Sequence, residues 1–144
     1  MMGMLDISAS ALSAERLRMQ VIAGNVANAE TLRDSQGNFA PFRRKLVMFR
    51  ERALDRAGAG NGASAGRAPG GVEVAGIIED KSALRRVYQP GHPDADRDGY
   101  VMMPNVNTVM EMVDMMAASR AYEANITAME ATKSMFTTSL KLLG

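Results

Sequence analysis

The stretch whose residue types come nearest to a metal site is Asp94-Ala95-Asp96-Arg97-Asp98-Gly99, because alternating carboxylates ahead of a glycine resemble the start of an EF-hand calcium loop. That loop requires a bidentate carboxylate at its twelfth position, where this chain has Asn105, and a preceding helix, where Pro90 and Pro93 stand instead. An ordinary Pro/Asp/Gly turn is the better reading. Gly60-Asn61-Gly62-Ala63-Ser64-Ala65 has the outline of a dinucleotide-binding turn, but charged residues 50–56 precede it where a strand is needed, and Gly66 and Pro69 forbid an immediate helix. His92, the sole histidine, lies between Gly91 and Pro93; a general base needs a nucleophile or substrate and an orienting partner, and the sequence singles out neither. Glu111 and Asp114 read as acidic residues at the positive end of a helix dipole. The short Arg43-Arg44-Lys45 run lacks the interleaved aromatics that stack on bases and reads as a solvated strand edge that discourages aggregation. No catalytic, cofactor or metal ligand is assigned, and the chain is not expected to be an enzyme.

Composition agrees. Cysteine is absent, which removes disulfides, zinc ribbons, thiol nucleophiles and iron–sulfur ligation. A net charge of +1 with 23% charged residues gives no field that would draw nucleic acid or an anionic membrane. Only 5% of residues are aromatic, whereas Met and Gly each number 13, so apolar content rests on Met, Ala, Val and Leu. At 144 residues the chain suits one domain of ordinary size, and helices packing on helices fit this composition best. No stretch has the cationic and apolar regions of a cleaved signal, and none approaches a membrane span.

Three regions differ in character: 1–32 and 105–144 read as helical, 33–104 does not. In the first, Leu5, Leu12, Met19 and Val26 recur every seven residues with no Gly or Pro before Gly24, predicting a helix over about 6–31 with a weak end at Gly24, Asn25 and Asn28. In the last, Met115, Tyr122, Met129, Phe136 and Leu143 form a bulky seven-residue row. Met110, Ala117, Ala124 and Ala131 form a small one about 140° away. Thr108 to Glu111 fits a capping box, and the predicted helix spans about 105–143. In the middle, 41–49 (PFRRKLVMF) and 72–78 read as strands, the second with a bulge at Gly76; 84–88 and 100–103 are weaker strands. The Gly/Ala-rich run 57–71 has almost nothing to bury and reads as a flexible loop. The expected fold is mainly α: long N- and C-terminal helices packed like a coiled coil as one helical domain (1–32 plus 105–144), with a small β-rich and irregular middle (33–104).

Pairing two helices covers one apolar row of the C-terminal helix and leaves the other exposed, which marks an interaction surface. Helices from neighbouring subunits are the expected cover. Leu12, Met19, Asn25, Val26 and Asn28 on the first helix, and Met115, Tyr122, Met129, Phe136 and Leu143 on the second, are the candidate interface residues. Asn25 and Asn28 would satisfy polar groups at the helix end or across a subunit boundary.

Motifs across the chain point to a family. Ser10-Ala11-Leu12 through Gly24-Asn25-Val26-Ala27-Asn28-Ala29 resembles the N-terminal signature of the flagellar basal-body rod proteins, and Glu111-Met112-Val113 through Ser119-Arg120-Ala121-Tyr122-Glu123-Ala124-Asn125 resembles their shared C-terminal helix. Pro41-Phe42-Arg43-Arg44-Lys45, the run from Tyr88 to Asp96 (YQPGHPDAD) and Gly99-Tyr100-Val101 through Pro104-Asn105-Val106-Asn107 are similar to the proximal-rod members. The resemblance implies a structural subunit of the rod that assembles helically with copies of itself and with other rod proteins. It would meet membrane-ring or adaptor proteins at the base, cross the periplasm, transmit torque to the hook, and leave the cell through the flagellar type III export apparatus without a cleaved signal. Another rod-family subunit, or a cytosolic helical export adaptor or scaffold, is the alternative.

Overall fold

The computed structural model describes residues 2–53 and 69–143. Its elements, in order, are helix α1 (Met2–Ala27), strands β1 (Lys45–Ala53), β2 (Pro69–Glu79), β3 (Arg85–Tyr88) and β4 (Tyr100–Met103), and helix α2 (Thr108–Leu143). β1 and β2 form one antiparallel pair, β3 and β4 another. The expectation of a mainly α fold is therefore corrected to a mixed α and β architecture: two terminal helices of 26 and 36 residues, with strands of 9 and 11 residues between them as well as two short ones.

The discrepancy has a physical origin. Reading apolar runs alone places the first strand four residues early and shortens the second at both ends, because charged cross-strand pairs carry the register beyond the apolar runs: Lys45 stands opposite Glu79, and Arg50 opposite Glu73, with the latter two side chains ion-paired. β1 starts at Lys45 and not at Pro41, since Phe42 donates its backbone N–H to the Thr31 carbonyl and Ala40 to that of Leu32. The predicted irregularity at Gly76 is present as a register shift between Met48 and Phe49, where Met48 faces Gly76 and Phe49 faces Val74. Of the run 57–71, residues 57–68 lie outside the described residues, but Pro69, Gly70 and Gly71 belong to β2 and the two glycines are buried.

The second of those glycines, Gly71, is required by its contact with α1. Its φ is +108°, and a Cβ built on it would sit 2.3 Å from Ser10 Oγ, so the strand reaches α1 only because no side chain intervenes. Ser10 Oγ donates to the Ile7 carbonyl and accepts from the Val72 N–H. α1 thus lies between the hairpin and α2. It stops at Ala27, earlier than the predicted residue 31, where the Asn28 side chain donates to the Gly24 carbonyl.

The second hairpin carries Val101, fully buried, and closes through residues 89–99. There Gly99 takes a φ of +78° beneath the Tyr88 ring and Pro90. Asp94 binds the Arg33 guanidinium, His92 Nδ1 accepts the Asp94 N–H, and Asp96 Oδ1 accepts the Arg97 N–H. The Asp-rich run is a turn pinned to residue 33, with its first carboxylate neutralised by an arginine.

Gly71→Ala should lower the unfolding free energy by about 1–3 kcal/mol, from the strained backbone and the Ser10 clash. Gly76→Ala, with nothing within 4 Å of its added Cβ, should change it by less than about 0.5 kcal/mol. Urea denaturation followed by circular dichroism distinguishes the two.

Candidate functional site

Asn25, near the end of α1, meets Glu111, near the start of α2, so the helices run antiparallel. α2 is longer, and its last nine or so residues, about 13 Å, extend past the beginning of α1. α1 is the only element whose backbone packs against α2 among the described residues.

The inner stripe of α2 is centred on Glu111 and Ala118, exposed by 1% and 0%, and continues through the half-buried Asn125 and Thr132. The bulky row predicted as the seam flanks that stripe. Met115, Tyr122 and Met129 are half-buried, Phe136 is exposed on the overhang, and the Leu143 side chain lies outside the described residues. On α1, Leu12, Met19 and Val26 are half-buried and Asn25 is 1% exposed; Asn28, one residue past its end, is half-buried. The small row, Met110, Ala117, Ala124 and Ala131, is exposed. Beside it Val109, Met112, Val113 and Met116 leave about half or more of their surface open, as do Met135, Leu140 and Leu142 farther along. Several hydroxyls of α2 turn back on their own helix: Thr127 donates to the Glu123 carbonyl, Thr132 to Ala128 and Thr138 to Ser134.

Where the helices meet, a polar cluster joins four segments. Glu111 accepts the Asn25 amide at 2.9 Å through Oε2 and the Arg44 Nε–H through Oε1; Arg44 also donates to Asp114 at 3.0 Å. Asn25 closes a two-way clamp on Lys45, donating to its carbonyl at 2.8 Å and accepting its N–H at 2.9 Å. The Arg44 N–H donates to Asn105 Oδ1, and the Asn105 amide reaches the Asp80 carbonyl and Ser82 Oγ. The Ser82 N–H and hydroxyl hold the Asp80 carboxyl below its ordinary value of 3.8, with the Arg44 and Arg43 charges adding to the effect.

Sequence reading missed this cluster. Arg44 is not a solvated edge but the counter-charge to a buried glutamate, and Arg43 donates to the Ser82 carbonyl at 3.2 Å. Nor is Thr108 the helix cap: Asn107 Oδ1 accepts the Val109 and Met110 N–H groups, which frees Glu111 to turn inward. The available signal was spacing, since Glu111 stands seven residues before Ala118 and fourteen before Asn125, on the line that faces α1.

Glu111→Ala should cost about 2–3 kcal/mol, because it removes one acceptor from the Asn25 amide and the Nε partner of a partly buried guanidinium that keeps only Asp114; chemical denaturation checks this. Asp80 ionises more readily folded than unfolded, so its contribution is present above pH 3.8 and is lost as pH falls through the depressed value. Asp80→Asn should flatten that acid limb of the stability curve.

The helix pair is also where known families match. The family described as "Flagella basal body rod protein" matches residues 5–33, which hold most of α1, and "Flagellar basal body rod FlgEFG protein C-terminal" matches 97–142, β4 and nearly all of α2. The chain is 44% identical over 142 residues to the flagellar basal-body rod protein FlgC of Bacillus subtilis, covering 96% of this chain and 95% of that one. It is 43% identical to FlgC of Salmonella typhimurium, over 99% and 97% of the two chains, and 42% identical to FlgC of Borreliella burgdorferi, over 96% and 95%. With that identity sustained end to end, the chain belongs to the FlgC family of flagellar basal-body rod proteins.

Proposed function

We propose that this structural rod subunit works by surrendering the outer face of α2 to its neighbours. The observation that carries the reading is the apolar surface the fold leaves uncovered: Val109, Met112, Val113 and Met116 near the start of α2, and Met135, Phe136, Leu140 and Leu142 on its overhang. Exposed apolar surface on this scale is the mark of an assembly contact. Helices of adjacent subunits, copies of this chain and other rod proteins alike, cover it in a head-to-tail helical array. Residues 1–32 and 105–144 act as the axial domain of the array, with 33–104 as its outer part.

Torque from the membrane ring passes to the hook through these contacts as the rod crosses the periplasm. At its base the subunit meets ring or adaptor proteins, and it reaches the rod through the flagellar type III apparatus. Its work is mechanical and not catalytic, as the relatives' description as rod proteins supports.

Phe136 is 43% exposed, so Phe136→Asp should leave the purified subunit's unfolding free energy within about 0.5 kcal/mol. In cells, burying the new charge in a subunit contact costs several kcal/mol, and each 1.4 kcal/mol is about tenfold in occupancy. Mass spectrometry of purified hook–basal bodies, referenced to a ring protein, should show the variant depleted at least about tenfold. Normal incorporation and motility would refute the proposal.

A further inference from the structure

α2 has two faces that could receive α1, and over its first turns the chain keeps the less apolar one. The inner face there offers Glu111, Asp114, Met115 and Ala118, whereas the outer face offers Val109, Met112, Val113 and Met116. Hydrophobic burial alone favours the opposite choice, since each large side chain taken from water is favourable and a carboxylate is not. The groups that receive Glu111 explain the outcome. Asn25 is fixed by its two bonds to the Lys45 backbone, and the segment carrying Arg44 by bonds from its N–H to Asn105 and to its carbonyl from the Asp80 N–H. Both are anchored to elements other than α2. A rotation or slide of α2 would therefore part Glu111 from both at once.

We propose that the Asn25–Arg44–Glu111 cluster selects which face of α2 the chain keeps for itself, and thereby holds the more apolar face outward. The cluster is a positioning device: it gives α2 one orientation among several that apolar packing would accept. That the outward face then meets neighbouring subunits rests on the rod reading above. The selection itself is a property of the isolated chain and is tested there.

The chain has no cysteine, so spin labels at Ala23→Cys and Ala117→Cys, both exposed positions, report the helix orientation by a single distance. In the otherwise native chain one narrow distance is expected, and Met112 and Met116 should oxidise in peroxide several-fold faster than Met115. Arg44→Met with Glu111→Leu removes the charges and keeps apolar bulk. The label distance should then broaden or shift by several ångström, and the oxidation order should level. Glu111→Leu with Met112→Glu moves the carboxylate about 100° around the helix, and α2 should rotate to return it to Arg44, shifting the same distance. This second variant decides the matter if the first fails to fold. An unchanged distance and unchanged oxidation order in a folded variant of either kind would overturn the proposal. Loss of rod incorporation with a native label distance would count against the rod reading alone.

Discussion

Glu111 keeps 1% of its surface exposed, and a carboxylate so placed is tolerable only while donors from outside its own helix face it. Two do: the Asn25 amide from α1 and the Arg44 guanidinium from the segment leading into β1. The remaining tertiary arrangement follows from satisfying that one charge. Asn25 can serve it only because α1 ends nearby, and it spends its other bonds on Lys45, which sets the origin of β1. Arg44 in turn holds Asn105, and so the approach to α2. The helix ends, the first hairpin and the last connection are thus positioned by one buried ion pair and the amides around it.

The elements themselves were largely legible in the sequence. Seven-residue apolar rows located both helices, and β4 coincides with the predicted 100–103, because those signals depend on local periodicity that the fold preserves. What local periodicity cannot carry was misread. The first hairpin begins and ends elsewhere than its apolar runs because Lys45–Glu79 and Arg50–Glu73 pair across strands, a relation between residues over twenty positions apart. Gly71 looked like filler and is a contact surface, since the feature that matters is the side chain it lacks. Arg44 looked solvated because its partner lies 67 residues away. Of the candidate interface residues on α2, Phe136 is exposed while Met115, Tyr122 and Met129 are half-buried beside the inner stripe, and that stripe could not be read because it is centred on a charge, an alanine and an asparagine.

The packing is economical. Among the described residues the buried hydrophobic ones are small or few, Ala14, Ile22, Ala29, Leu32, Val101, Val106 and Ala118, while most methionines of α2 stay outside. A fold of this kind draws much of its definition from directional bonds in one place and holds its hydrophobic capacity in reserve for contacts beyond the chain. Specificity and adhesion are thereby assigned to different surfaces.

The outward side of the first turns of α2, Val109, Met112, Val113 and Met116, has a mechanical corollary. A stretch with no polar hydrogen to place, made of valine and methionine, asks for no particular angle from whatever lies against it. In the proposed array, neighbours that differ slightly in tilt and height would meet this same surface. A surface without directional demands accepts all of them at nearly equal energy, and under load it yields by small displacements without breaking any bond.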